Sequence, residues 1–413
     1  MKGPLARSSL KTGAMLGIRV LTQAAVLLLL THLLGPQTYG HFASASSLAV
    51  VLGILPNLGS GYVMMARAPQ HATAINDVWR YAWPLTMLLG LLLLAAYLPL
   101  AHIMGGANPM AWPTLCCLGA AELLATPLTM LLSFVLQASQ RVPLGQFVQW
   151  LPLGLRVLAA LPCFLIIETA RLPAYALLQM LASLVGLALG FAMTRRIVAL
   201  HGVPRYPDAQ ELTQGASYAA MHLVAANPSE LDKVLAVRLI GAHDAGIYAA
   251  ATRVMGALVM PVIALMLAAQ PRLFHHAHQP TQQGHRLIWI IAMLALGWGL
   301  LCWLLLSLCS SLLPWLFGPS FAAMALLMPW LAAAAAPLSM RLAAGTVLVA
   351  LGRPLERLMF ELTGIAALVA GTLLLAPLFG MRGLAFALLA SESSMAMIGW
   401  CLVWQRTRQS ESG

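Results

Sequence analysis

Charge is what this chain has least of. Of its 413 residues only 8% are Asp, Glu, Lys or Arg, against roughly 25% in an ordinary soluble domain. With 61% hydrophobic residues such a chain cannot cover a water-facing surface, so lipid is the solvent for most of it. Acids are scarcer than bases, 12 against 23, for a net charge of +11. No basic block or basic domain accompanies that excess, which excludes a nucleic-acid partner; the bases sit in short connections, where they set topology. The polar–apolar alternation of a membrane barrel is missing too. The six cysteines (Cys116, Cys117, Cys163, Cys302, Cys309 and Cys401) lie in or near apolar stretches with no metal-type spacing. They read as small packing residues. No metal site and no cofactor is implied. A signal-type cleavage site is lacking after Lys2, Arg7 and Lys11, so the first apolar run is expected to stay as a span.

What is present is a succession of apolar stretches, each about 20 residues or longer, the transmembrane-helix signature. Twelve spans are predicted: 12–34, 41–66, 81–104, 113–139, 143–167 and 172–194, then 213–241, 244–271, 287–313, 322–350, 357–378 and 382–404. The fold class is all-α and polytopic, with two six-helix bundles, 1–200 and 213–413, joined by a polar connection at 201–212. Fifteen Lys and Arg fall on one side of this topology and only Arg171 and Arg382 on the other. That bias places both termini in the cytoplasm.

The halves resemble each other at a nearly fixed shift. Gly35-Pro-Gln-Thr-Tyr-Gly40-His-Phe42 matches Gly241-Ala-His-Asp-Ala-Gly246-Ile-Tyr248; Pro127-Leu-Thr-Met130 matches Pro337-Leu-Ser-Met340; Ala174-Tyr-Ala-Leu-Leu178 matches Ala385-Phe-Ala-Leu-Leu389. Six spans is an even number, so the repeats are parallel, related by an axis along the membrane normal. Two such bundles are expected to enclose a central cavity, the architecture of alternating access.

A charge at mid-span costs about 2.5–3.5 kcal/mol on insertion scales, so each needs a reason. Arg19 and Gln23, four apart, share one face of the first span; Gln146, Gln149 and Arg156 make a stripe on the fifth. These are candidates to line a cleft, against the plainer reading of interhelical pairs. The seventh span is the most polar, with Asn227, Pro228, Glu230, Asp232, Lys233 and Arg238. A kink is expected at Pro228. Asp232, turned about 100° from Lys233, is expected to seek a partner on another helix, Arg253 or Arg238. Gating by Asp232 and Lys233 stands beside a structural salt bridge. Arg341 is the second bundle's candidate cation. Glu122 and Glu392 are candidates to carry a coupling ion, and Glu361 is expected to pair with Arg357 at the surface. His275, His276, His278 and His285 fall in a connection and read as solvated loop.

Taken together, the basic N-terminus, Arg19, Leu33-Leu34-Gly35-Pro36-Gln37-Thr38-Tyr39-Gly40, Leu58-Gly59, and Asn227-x4-Asp232-Lys233 followed by Gly241-x4-Gly246-Ile-Tyr248-x4-Arg253 resemble Wzx-type polysaccharide flippases. These belong to the multidrug/oligosaccharidyl-lipid/polysaccharide exporter superfamily, which also holds the MATE transporters. The resemblance implies a bacterial inner-membrane protein that flips an undecaprenyl-pyrophosphate-linked oligosaccharide to the periplasmic leaflet, with O-antigen or exopolysaccharide assembly proteins as further partners. Arg19, Arg156, Arg253 and Arg341 would supply cations to the diphosphate, and Gln23, Gln149 and Asn227 polar contacts to the sugar. Coupling to Na+ or H+ is left open. Five intramembrane acids nearly balance six bases, so a cation-coupled multidrug antiporter of the same superfamily stays as the alternative. A glycan polymerase or ligase ranks last, because every inferred periplasmic connection is under about ten residues.

Overall fold

The computed structural model describes residues 4–68, 73–106, 108–226, 230–277 and 282–409. The helices run α1 (Pro4–Leu52), α2 (Ser60–Arg67), α3 (Ala74–Met104), α4 (Trp112–Ala120), α5 (Thr126–Ala138), α6 (Val142–Ala160), α7 (Glu168–Arg195), α8 (Ala209–Ala226) and α9 (Leu231–Ile240). They continue as α10 (Ala242–Ala277), α11 (Gln282–Leu308), α12 (Leu313–Phe317), α13 (Ala323–Ala332), α14 (Ala335–Ala350), α15 (Pro354–Phe379) and α16 (Met381–Gln409). Among the described residues nine helices are long and apolar enough to cross a membrane, and α13 with α14, bent by 41°, make a tenth. α1 holds two helices joined at Gly35, and the seventh expected span is divided into α8 and α9, of 18 and 10 residues. The chain is an all-α, multi-pass membrane protein with the twelve-span order expected. Asn227 and Pro228, and with them the expected kink, lie outside the described residues.

The chain divides into two compact units, Met1–Leu223 and Val224–Gly413. Their duplication is visible in the backbone. Gly35 adopts φ 66, ψ 171, and its counterpart Gly241 adopts φ 84, ψ 159. Both are conformations that a Cβ disfavours, so the matched glycines end one helix and start the next. Helix breaks recur as well. A π-helical turn, Ala121–Ala125, separates α4 from α5 just before Pro127; in the second unit the helix is broken between α13 and α14, just before Pro337. The turn into the next helix is also repeated. Arg141 N–H donates to the Leu136 carbonyl at 2.9 Å, and Arg353 N–H to Leu348 at 2.9 Å. The left-handed residue in these turns is Gly352 in one copy (φ 72) and Gln140 in the other (φ 61).

The second span is interrupted between α1 and α2. Backbone in lipid needs internal partners; here Ser60 Oγ donates to the Asn57 carbonyl at 2.7 Å, and the Asn57 side chain ties the break to its neighbours. Its Nδ2 donates to the Pro127 carbonyl at 3.1 Å, and its Oδ1 accepts from Thr86 Oγ1 at 3.1 Å.

The segment after α7 is strapped to the first unit. Arg80 Nε donates to the Val203 carbonyl at 2.7 Å, and Arg205 N–H returns a bond to Arg80 O at 3.2 Å. The Arg205 guanidinium lies 4.9 Å over the Tyr81 ring. Glu211 gathers Arg205 at 2.6 Å and Arg67 at 2.9 Å, and accepts the Asp208 N–H at 3.0 Å, half of a capping box for α8. α8 itself packs close: Tyr62 stacks on Tyr218 at 5.8 Å, and a Cβ on Gly59 would sit 2.2 Å from the Gly215 carbonyl.

Gln140→Gly is expected to raise stability by about 0.5–1 kcal/mol, since it removes a left-handed side chain, and Gly352→Gln to lower it by a similar amount; thermal unfolding in detergent reads both. A second expectation concerns pH. Burial pushes the Glu211 carboxyl up, but the Arg205 hydrogen bond, the Asp208 amide and the charges of Arg205 and Arg67 outweigh it and hold it below its ordinary value. The folded strap therefore binds fewer protons than the unfolded one. Its contribution is present above the ordinary carboxylate value and is lost only as pH falls below that value, through the depressed one. Hydrogen exchange across 201–211, corrected for intrinsic rates, should keep its protection to about pH 4.5 and lose it below, and Glu211→Gln should flatten that dependence.

Candidate functional site

In the first unit two polar rungs join α1 to α6. Arg19 Nη1 donates to Gln149 Oε1 at 3.2 Å, and Trp150 Nε1 donates to Thr22 Oγ1 at 2.9 Å. The two stripes expected from spacing thus meet. Arg19 is half-buried and Gln23, one turn on, is exposed. Among the described residues Arg19 has an amide for a partner and no carboxylate.

About 10 Å further along α6, seven residues at 1.5 Å each, Arg156 sits in a different setting. Its Nη1 lies 2.7 Å from Glu122 Oε1, and its Nη2 donates to Ser183 Oγ at 3.0 Å. Glu122, on the π-helical turn, is buried and also accepts from Gln179 Nε2 at 3.2 Å and Thr126 Oγ1 at 3.2 Å. The turn swings the carboxylate between α6 and α7, so one acid, one base, an amide and two hydroxyls tie three spans together. The charge of Arg156 is compensated where it stands.

The second unit has its own cluster on α14, α15 and α16. Arg341 Nε donates to Glu392 Oε2 at 2.7 Å, and its Nη1 stands 3.8 Å from Glu361 Oε1. Arg357 Nε donates to Glu361 at 3.0 Å. Glu361 is expected at the surface, but it is 2% exposed and shared by two arginines. Arg341 and Glu392 are buried against each other. The clusters occupy the fourth to sixth and the tenth to twelfth spans, with the signs exchanged: an acid on the fourth span where the tenth carries a base, a base on the fifth where the eleventh carries an acid.

At the start of α9, Asp232 Oδ1 accepts the Lys233 backbone N–H at 2.8 Å and the Lys233 ammonium at 3.3 Å, while Oδ2 accepts the Tyr248 hydroxyl. Lys233 also stands 3.9 Å from Glu230. Asp232 therefore does reach a second helix, through a phenol that spacing did not single out. Tyr248 is the counterpart of Phe42 in the repeated hairpin and carries a hydroxyl that Phe42 lacks. Arg238 and Arg253 are exposed on α9 and α10. Asn227 lies outside the described residues, as do His278 and the side chains of His275, His276 and His285. Among the described residues no three His, Cys, Asp or Glu side chains converge as a metal site.

No protein-family profile matches this sequence, and no curated protein matches it. Solved structures do. The chain superposes on the inward-facing conformation of a multidrug resistance MATE family transporter of the MOP superfamily with a TM-score of 0.76 at 14% identity, covering 95% of this chain and 96% of that one. This is the MATE fold. The MATE multidrug transporter DinF-BH gives 0.71 at 16% identity, over 98% and 96% of the two chains. A MOP superfamily transporter from Pyrococcus furiosus gives 0.66 at 14%, over 98% and 95%. These neighbours are transporters, not enzymes. Within the MATE fold of this chain, every buried carboxylate among the described residues has a basic side chain within 4.0 Å.

Arg341→Met alone should cost about 3–5 kcal/mol, the penalty for stranding a buried charge. The double variant Arg341→Met/Glu392→Leu should recover most of it, because the two residues act as one unit. Thermal unfolding of the three purified proteins in detergent checks this.

Proposed function

We propose that this protein is a transporter that flips an undecaprenyl-pyrophosphate-linked oligosaccharide from the cytoplasmic to the periplasmic leaflet of the bacterial inner membrane by alternating access, in surface polysaccharide biosynthesis. Both termini are cytoplasmic in this reading. The observation that carries it is unequal compensation. Among the described residues the buried acids hold built-in bases, whereas Arg19 holds only the Gln149 amide. A fixed guanidinium with a neutral partner suits a diphosphate, which it can bind in bidentate fashion. Thr22, Gln23 and Gln149 around it suit hydroxyl-rich sugar. Arg156 and Arg341 act here as positioning residues rather than as free cations, and Arg253 remains a candidate contact. A precedent for changed charge exists in the fold: reverse polarity of the binding pocket suggests a different function for the Pyrococcus furiosus transporter.

A cation-coupled multidrug antiporter is the second reading, favoured by the multidrug MATE transporters among the neighbours. An organic cation needs an open carboxylate. Its candidates Glu122, Asp232 and Glu392 are each occupied by Arg156, Lys233 and Arg341. The driving gradient, Na+ or H+, is common to both readings.

In a strain deleted for this gene, Arg19→Ala should insert normally and lower surface-polysaccharide display at least tenfold, the weight of one charge-assisted hydrogen bond, with Arg19→Lys intermediate. Vesicles holding the wild-type protein and a fluorescent organic cation should show no gradient-driven efflux. Full display from Arg19→Ala rejects that residue's role, and rapid efflux moves the assignment to the antiporter.

A further inference from the structure

The second unit carries an apolar groove that the transport reading does not use. It is shallow and runs between α11 and α16, with Ile288 and Val403 at its base and Trp289, Trp400 and Trp404 along it. Trp400 is fixed: its Nε1 donates to the Met340 carbonyl at 3.0 Å, and its ring stacks on Trp289 at 6.2 Å. Trp289 and Trp404 are 52% and 48% exposed, so the groove is open along an aromatic wall. The Trp289 indole N–H donates to no group among the described residues.

One end of this groove is positively charged. Arg286 is exposed and lies one turn from Trp289 on α11; it has no ion pair among the described residues. Thr407 closes the same end, beside Arg406. Arg406 shares the single negative charge of Glu356 with Arg353, at 2.6 Å and 4.0 Å, which leaves that trio with a net positive charge. The apolar wall, an indole donor and the Arg286 cation adjoin one another, as chain, glycerol and phosphate do in a lipid.

We propose that this groove seats an anionic glycerophospholipid, its acyl chain on Trp289, Trp400 and Trp404 and its phosphate on Arg286 and the Trp289 N–H. The cations select against a zwitterionic headgroup, and the aromatic wall selects a chain over bulk water. The site is independent of the substrate assigned above.

Lipids with brominated chains quench tryptophan fluorescence on contact. The full-length protein in phosphatidylcholine vesicles should be quenched by brominated phosphatidylglycerol at about fivefold lower mole fraction than by brominated phosphatidylcholine, the weight of one surface cation on an anionic lipid. Of the eleven tryptophans, the three that line the groove carry this signal, so Trp289→Phe/Trp400→Phe/Trp404→Phe should remove it and leave the remainder unchanged. Arg286→Gln, at an exposed position, should fold normally and bring the two lipids to the same mole fraction. Equal quenching by both lipids in the wild-type protein overturns the proposal. So does a preference that survives Arg286→Gln, or one that survives loss of the three tryptophans.

Discussion

A charge placed among hydrocarbon is costly unless it is neutralised within reach of its own side chain, and most of what is specific in this protein follows from that. Glu122 and Arg156 neutralise each other across two spans. Arg341, Glu361, Arg357 and Glu392 do so across three. Such pairs are weak evidence for stability, because apolar side chains of the same volume often do as well. What they provide is register. Ridges of Leu and Ala slide past one another at little cost, whereas a guanidinium 2.7 Å from its carboxylate cannot slide without stranding a charge. The π-helical turn under Glu122 serves the same end, since it turns the carboxylate toward its partners at the expense of one regular turn.

Irregular backbone obeys the same rule as charge, because an unpaired carbonyl in lipid also costs several kcal/mol. The breaks here are therefore tied to side chains or repeated in place. Asn57 holds the interruption of the second span against Pro127 and Thr86. The breaks before Pro127 and Pro337 occur at matched positions, as do the left-handed turns at Gly35 and Gly241. The same turn conformation is held by different residues in the two copies, Gln140 in one and Gly352 in the other.

Much of this was legible in the residues alone. Span number follows from apolar length, and duplication from Gly35/Gly241 and Pro127/Pro337, because glycine and proline leave their mark on the chain regardless of neighbours. The stripes that carry Arg19 and Gln149 were legible from their helical period, but they were expected to line a cleft, and that Arg19 bonds Gln149 came from the structure. The other pairings were not legible either. Nothing in a one-dimensional pattern tells that Glu122 faces Arg156, that Glu361 is buried, or that Asp232 takes a phenol. Those contacts depend on how helices are rotated about their axes, which packing sets and spacing does not. Asn57 was missed for a related reason: the second span reads as one run over 41–66, and an amide beside Pro56 shows no role there until a carbonyl seventy positions away is seen to need it.

The exchange of signs between the two clusters has a consequence for how the chain is made. Each cluster is complete within its own half, since Glu122 and Arg156, and Arg341, Glu361, Arg357 and Glu392, emerge within the same run of spans. During synthesis the earlier half can leave the insertion machinery as a finished body, without waiting for a countercharge from residues still inside the ribosome. A duplicated ancestor free to let its two copies drift apart would keep that autonomy, whichever sign each helix came to carry.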